Sequence, residues 1–396
     1  MSIRDSIIAY ADENLATYKQ IALDIHAHPE VSNYEFYACE RLSGQLAAEG
    51  FDVKVNVAGH RTGFAAYYKS HKPGPVIVFL AEYDALAGLG HGCGHNIFGA
   101  TSALAGAALK HVIEEVGGEV RVYGTPGEEG GENGSAKGSF VREGFLDDVD
   151  AALCVHPGSD KHGLTGKSLA CAPVDIEFWG QAAHACAAWN GANALDALLQ
   201  VYNSISFLRQ QLTPDIKIHG IIVKGGDAPN TVPDYTHAKF YLRAATVPNL
   251  DDLYKKVEHI VEGAALATGT KGRMQPYQNR VENTIPTPSF DALYKKNLES
   301  LGEVVPDPDP NRKGGGSSDV GNVSQVVPTI QPHISITDGP IRGHSKEMVA
   351  ASCAEKGLNS IALGAKALAL TALDLIQDPQ LLASIKAEHD RLVKEQ

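Results

Sequence analysis

Residues 75–109 constrain this chain more than any other stretch. Pro75–Leu80 (PVIVFL) is a short apolar run that reads as a buried strand. Directly behind it comes EYDALAGLGHGCGH, Glu82 to His95. Here Asp84, His91, Cys93 and His95 are separated mainly by glycine and alanine. A helix of small residues follows, roughly Ile97 to Leu109. Soft and borderline ligands crowded into a glycine-loosened loop at the end of a strand are the usual setting of a metal site. Alone, Cys-Gly-His is a weak signal; its partners lie further along the chain.

The surrounding pattern predicts an α/β fold. Residues ~4–27 read as one helix, apolar at Ile7, Ile8, Ala11, Leu15, Tyr18, Ile21, Ala22 and Ile25. His28-Pro29 ends it, because a residue before proline resists the helical region. A second helix is expected from about Tyr34 to Glu49, closed by Gly50. FDVKVNV, TGFAAYY and PVIVFL then read as strands, and after the small-residue helix so do EVRVYG and AALCVH. Strands alternating with helices argue a largely parallel sheet.

The character changes near Ala170. SLACAPVDIEFWG, KIHGIIVKG and HAKFYLRAA read as strands, and ANALDALLQVYNSISFLRQQL and NLDDLYKKVEHIVEGAALATG as helices. That composition suggests a compact α+β, ferredoxin-like domain over residues 170–281, inserted into a larger domain made of residues 1–169 and 282–396. After about Val281, VPTIQPHISIT reads as a strand and a final helix pair runs from about Lys346 to Ile376. Gly314 to Gly316 with Ser317 and Ser318 form a short polar loop.

A length of 396 residues allows one very large domain or two ordinary ones. The net charge of -13 argues against a nucleic-acid or anionic-membrane partner. No run of about 18 apolar residues predicts a transmembrane helix. The acidic, amphipathic N-terminus lacks the apolar core of a signal peptide. The six cysteines (Cys39, Cys93, Cys154, Cys171, Cys186, Cys353) show no paired spacing and read as reduced thiols in the cytoplasm. All but Cys93 are expected to be small core residues.

Chemistry-bearing residues recur at strand ends. Asp84, Cys93 and His95 follow PVIVFL; Glu128 and Glu129 follow EVRVYG; AALCVH ends in His156; Gly343-His344-Ser345 follows VPTIQPHISIT. Ligands of open α/β sheets bind outside the carboxyl ends of the strands. A thiolate, three imidazoles and up to three carboxylates on one rim suit two divalent ions of the zinc or manganese type. In Glu128-Glu129, one carboxylate can ligate a metal while its neighbour stays beside the bound water. A metal lowers that water's pKa toward ~7, and the free carboxylate can take its proton as general base. Each residue alone has a blander reading: a solvated Glu pair, a hydrogen-bonded His156, a buried small Cys93, an Asp84 that caps a turn. Their joint placement favours the metal. His26, His28, His60, His162, His389 and similar histidines lack such company and read as structural or surface residues.

HAHPEVSNYE, EYDALAGLGHGCGHN, PGEEGGENGSAKG, GQAAHACAAW with NALDA, GGDAPNTVPD and SSDVGNVS stand in order along nearly the whole chain. In these blocks the chain resembles the dinuclear metallopeptidases of the aminoacylase and carboxypeptidase G type (the M20 peptidases). It is most similar to the amidohydrolase branch that includes aminobenzoyl-glutamate hydrolase, the auxin-conjugate hydrolases and a β-alanyl-lysine dipeptidase. The resemblance implies that Cys93 is the shared metal ligand, that His95, Glu129, His156 and His344 are the other ligands, and that Glu128 is the general base. It implies that Asp84 orients a ligand from behind. His184 resembles a histidine that stabilises the developing oxyanion, often supplied by the partner subunit of a dimer. Asn230 resembles a substrate-contacting residue, and Arg243 and the loop at Gly315 are further candidates for gripping a substrate carboxylate. Ala87, Asn96 and the pair Ala188-Trp189 depart from the commoner pattern and bear on specificity.

The resulting expectation is a cytoplasmic, homodimeric, metal-dependent amidohydrolase. It would carry two divalent ions per subunit, zinc or manganese before cobalt or nickel, and cleave N-acyl amino acids or small dipeptide-like substrates. A dipeptidase acting on α- or β-alanyl dipeptides is the near alternative. Two remote ones are a cysteine amidase, with Cys93 as nucleophile and His91 or His95 as base, and a non-catalytic binding protein.

Overall fold

The structure is a computed structural model and describes residues 2–307 and 315–396. Gly314, read above as part of a polar loop, lies outside the described residues. Two compact units are present: one runs to Lys167 and resumes at Thr284 and at Ser318–Glu395, the other is Ser168–Asn283 with Gly315–Ser317 and Gln396.

The first unit opens with α1 (Ile3–Ala27), α2 (Phe36–Ala48), β1 (Asp52–Val57), β2 (His60–Lys69) and β3 (Val76–Ala81). It continues with α3 (His95–Val116), β4 (Glu119–Gly124), α4 (Ala136–Arg142), β5 (Ala151–Leu153) and β6 (His156–Gly158). Helix α1 starts where the Ser2 hydroxyl accepts from the Asp5 amide and the Asp5 carboxylate accepts from the Ser2 amide.

The second unit holds β7 (Ala170–Trp179), α5 (Ala194–Leu208), β8 (Lys217–Lys224), β9 (Tyr235–Ala244), α6 (Val247–Thr268) and β10 (Lys271–Pro276). The chain then returns with α7 (Pro288–Ser300), α8 (Val320–Ser324), β11 (Thr329–Ile330), β12 (His333–Ser335), α9 (Lys346–Ala351), α10 (Glu355–Gln377) and α11 (Pro379–Lys394).

The first unit's main sheet has the order β1-β2-β4-β3-β5-β11. β3 lies parallel to β4 and β5, and β5 parallel to β11, while β1, β2 and β4 pair antiparallel. Alternation along β3 divides its side chains between two cores. Ile77, Phe79 and Ala81 join the core that includes residues of α1, α3 and α10; Val78 and Leu80 join Phe98, Phe140, Val320 and Val323. Covered on both faces, the strand reads as an unbroken apolar run. Helix α3 approaches the sheet closely: a Cβ added at Gly106 would lie 2.4 Å from the Val122 side chain. α10 is long and apolar enough to cross a membrane by length and composition, yet 78% of its most apolar window is buried inside the protein, as in a core helix.

The second unit follows a β-α-β-β-α-β course with the sheet order β10-β7-β9-β8, all pairings antiparallel. This is the ferredoxin-like arrangement, with Val174, Ile176, Leu198, Val201, Phe240 and Val257 in its core.

Several elements differ from the sequence-based expectation. α3 starts at His95 and runs on to Val116, so His95 lies in the first turn of a helix. AALCVH and VPTIQPHISIT each break in two, and β6 pairs with β12 in a separate two-stranded sheet. Pro332, at the second break, has no N–H to carry a ladder onward. β10 escapes notice because KGRMQP is polar, largely exposed and ends in proline. α7 and α11 lie outside the expected helices, although Phe290, Leu293, Tyr294 and Leu298 of α7 are buried at helical spacing. All six cysteines are free, but only Cys39, Cys154 and Cys171 are fully buried. Cys186 is exposed and Cys353 half-buried, a correction to the core reading given to both.

Candidate metal centre

Five of the residues singled out in the sequence meet in the first unit. Cys93, His95 and His156 offer ligand atoms that all lie within 4.8 Å of one another, and so do Cys93, Glu129 and His344. Cys93 is common to both groups. Glu82, His95 and Glu128 form a third such group.

Local backbone conformation explains the convergence. Gly94, between Cys93 and His95, has φ of 75°, a left-handed conformation that glycine adopts without penalty. It turns the chain from the loop into α3, so both side chains face one point. Its Cα is also closely overlaid, since an added Cβ would lie 2.9 Å from Pro157. His344 sits at φ 55° just before the Ser345 cap of α9, and its amide donates to the Gly92 carbonyl at 3.0 Å. That bond ties the distant His344 loop to the Cys93 loop.

Hydrogen bonds also select which imidazole nitrogens remain open. His95 Nδ1 donates to Asp84 Oδ1 at 2.9 Å, leaving Nε2 buried without a hydrogen-bond partner. His156 Nδ1 donates to the Pro157 carbonyl at 2.7 Å. An imidazole held through one nitrogen presents the other in a fixed direction, as metal-ligating histidines do. The second oxygen of Asp84 accepts from the Glu129 amide at 2.9 Å, so one buried carboxylate orients both His95 and the Glu129 loop. The ring centroids of His95 and His156 are 5.5 Å apart at 84°. Glu129 Oε2 lies 3.5 Å from His344 Nε2, while Glu129 Oε1 is buried without a hydrogen bond.

The electrostatics are dominated by buried carboxylates. Burial, then the neighbouring Glu82 and Glu129, push the Glu128 carboxyl well above the usual range. Burial and Glu129 likewise push the Cys93 thiol up. That disfavours a free nucleophilic thiolate, because a reactive cysteine needs a positive neighbourhood. Burial works to lower His95, but Asp84 and then Glu82 outweigh it and hold the ring well above its ordinary value. Burial and His95 bring His156 down to about 4, which leaves it neutral and able to ligate. Unpartnered Nε2 and carboxylate atoms, one thiol and an excess of buried acid fit divalent cations of borderline softness.

The other predicted residues belong to the second unit. His184 is exposed, and its Nδ1 accepts from the Cys186 amide at 3.2 Å. The Asn230 carbonyl accepts from the Ala185 amide at 2.9 Å, so His184 and Asn230 are backbone neighbours. Arg243 on β9 donates to Ser317 Oγ at 2.5 Å, beside the exposed Gly315. Trp189 is 81% exposed. Asn96 is buried and donates to the carbonyls of Ala22 and Ser352, which gives it a structural role.

Sequence reasoning passed over four buried groups here. Glu35 accepts from the Gly127 amide at 2.9 Å and from the Thr62 hydroxyl at 2.8 Å, bracing the turn that carries Glu128. Burial and then Asp84 raise its carboxyl to about 8. Glu82, Lys137 and Asp319 form a buried chain of charges behind His95. The available signal for Glu82 was alternation: it continues the Val78–Leu80 face of β3 into the rim, where an apolar residue would be the simple choice.

Residues 172–269 match the peptidase dimerisation domain of the M20 peptidases. A mouse (Mus musculus) Xaa-Arg dipeptidase is 34% identical over 93% of this chain and 85% of its own length. The chain belongs to the M20 peptidase family. A p-aminobenzoyl-glutamate hydrolase from Escherichia coli is a further relative, 31% identical over 96% of the chain and 93% of its own length. A dinuclear metal binding peptidase of the family from Bacillus subtilis shares the fold. Its TM-score is 0.65 at 19% identity, over 92% of this chain and 99% of that one. As an M20 metallopeptidase, the protein is a hydrolase of amide bonds, and the convergent donors around Cys93 stand where such chemistry needs its metal.

Proposed function

We propose that this M20 hydrolase cleaves the amide bond of N-acyl amino acids or small dipeptide-like substrates, with two divalent ions bound per subunit. The observation that carries the reading is the meeting of two three-donor groups at Cys93. Cys93, His95 and His156 would hold one ion, and Cys93, Glu129 and His344 the other. Two ions accord with the dinuclear metal binding of the Bacillus subtilis peptidase. Mixed thiolate, imidazole and carboxylate donors suit zinc or manganese, with cobalt and nickel as working substitutes. Such ions supply Lewis acidity toward a carbonyl oxygen and lower the pKa of water near them.

The protein's own groups perform the proton transfers. Glu128 takes a proton from the attacking water and returns it to the leaving amine, a task suited to a carboxyl held above its usual range. Asp84 keeps His95 and the Glu129 loop in place. His184 is assigned the oxyanion-stabilising role on the strength of its sequence block, and Asn230, Arg243 and Gly315 the handling of the substrate's polar end.

The dipeptidase reading has specific support in the 34% identity to Xaa-Arg dipeptidase. The test is hydrolysis of N-acetyl amino acids, aminobenzoyl-glutamate, α- and β-alanyl dipeptides and dipeptides ending in arginine. Each is run with chelator-stripped protein and after adding zinc, manganese or cobalt. Metal-restored cleavage of one class is the expected result; cleavage indifferent to metal would refute the proposal.

The second unit is the proposed dimerisation surface. β8 is the outer strand of its sheet and exposes three consecutive apolar residues, Ile221 (65%), Ile222 (44%) and Val223 (51%). An apolar edge strand invites pairing with another chain. Ile221→Glu with Val223→Lys is expected to convert a dimer into a monomer, read by light scattering during gel filtration. Unchanged mass would move the interface elsewhere. Free cysteines suit a reducing compartment, and we place the enzyme in the cytoplasm.

A further inference from the structure

Glu82 belongs to neither of the two groups that meet at Cys93, yet it is fully buried beside them. Its Oε1 lies 2.7 Å from Lys137 Nζ, and the same ammonium lies 2.6 Å from Asp319 Oδ1. The Lys137 amide donates to Asp319 Oδ2 at 3.1 Å, so the lysine is held by backbone and side chain together. All three residues have no exposed surface.

The charges in this chain do not balance. Two buried carboxylates face one ammonium, and an uncompensated buried carboxylate is strongly disfavoured unless a cation meets it. The geometry indicates where that cation would sit. Glu82 Oε2 is 3.2 Å from His95 Nε2, and neither atom has a hydrogen-bond partner. That nitrogen is the one left open when Asp84 takes Nδ1. A carboxylate oxygen and an imidazole nitrogen at this separation, both buried and facing each other, are placed as two ligands of one ion are placed. Lys137, fixed by Asp319, occupies the other Glu82 oxygen and so prevents the carboxylate from turning away.

We propose that Glu82 is a further protein ligand of the ion held by Cys93, His95 and His156, and that Lys137 and Asp319 clamp its carboxylate in the ligating orientation. The inference rests on reading that group as a metal centre, and its test separates the two. Metal-stripped protein is titrated with cobalt(II) alone, following both the thiolate-to-cobalt absorption and the visible d–d bands, with folding checked by circular dichroism.

Wild-type protein is expected to bind two ions. Glu82→Gln is expected to keep the thiolate band, weaken one of the two dissociation constants by about 10- to 100-fold or more, and alter the d–d bands as one ligand is lost. Glu82→Asp keeps the charge opposite Lys137 but withdraws the oxygen by one methylene, and should show the same spectral change if Glu82→Gln does not fold. Asp319→Asn should weaken the same ion more mildly. Two wild-type constants with a wild-type spectrum in both Glu82 variants would overturn the proposal. So would weaker binding with unchanged d–d bands, which makes Glu82 only a neighbour. No cobalt binding by the wild-type protein would instead sink the metal centre itself.

Discussion

Replacing Glu128 by glutamine is expected to lower kcat by about 10³-fold while KM changes only a few-fold and both ions stay bound. The size follows from the role: proton transfer by a positioned side chain is worth roughly 10²–10⁴. Glutamine keeps the shape and polarity of the side chain but can neither accept the water's proton nor return it to the amine. The five proposed ligands are untouched, so metal content, measured by atomic emission, should match the wild type. The geometry makes this a discriminating experiment, because Glu128 also lies within ligating distance of Glu82 and His95. Loss of an ion together with activity would make Glu128 a ligand. Full metal with turnover near the wild-type rate would remove it from the reaction.

A smaller consequence would accompany it. The Glu128 carboxyl is held well above its ordinary value by burial and by the carboxylates of Glu82 and Glu129. Removing a charge from that group relieves repulsion, so the glutamine variant should be at least as resistant to thermal unfolding as the parent.

Much of this site was legible in the sequence because its donors come in local packages. Asp84, Cys93 and His95 leave one strand within a dozen residues, and Glu128 and Glu129 are adjacent. Strand-end placement brings such packages to a common rim whatever the details of the helices. What escaped notice depends on burial, which local pattern does not report. Glu82 and Lys137 look like surface residues in a one-dimensional reading; only the covered second face of β3 makes them a buried pair. Glu35 stands just ahead of α2, and its partner amide at Gly127 lies far along the chain. The same limit explains the fold. α1 and β3 carry their period in the sequence, whereas β10 is an exposed strand whose pairing with β7 alone gives it order. The breaks at Val155 and Pro332 follow from a change of sheet partner, and the apolar runs around them continue without interruption.

Cys93 supports the second prediction of large effect. It is the one residue common to both proposed ion sites. His156→Ala should therefore weaken one ion and His344→Ala the other, each leaving a single tight site. Cys93→Ala should weaken both at once. Losing an outer-sphere partner of a ligand typically costs about 10–100-fold in affinity, so loss of a shared ligand should exceed that at each site, with activity falling about 10³-fold or more. Cys93 also sets how binding responds to acid. Burial and Glu129 hold its thiol up, so the free protein carries the proton through the neutral range. Binding must release it, and apparent affinity should fall about tenfold for each unit by which pH is lowered. The alanine variant has no such proton to release, and its remaining, weaker affinity should depend less steeply on pH. Calorimetric titrations of the four proteins with zinc across pH 6 to 8 would decide the matter. A Cys93→Ala protein that retained one wild-type site would assign the sulfur to a single ion and dissolve the shared-ligand arrangement, leaving His95 and His156 to seek another partner.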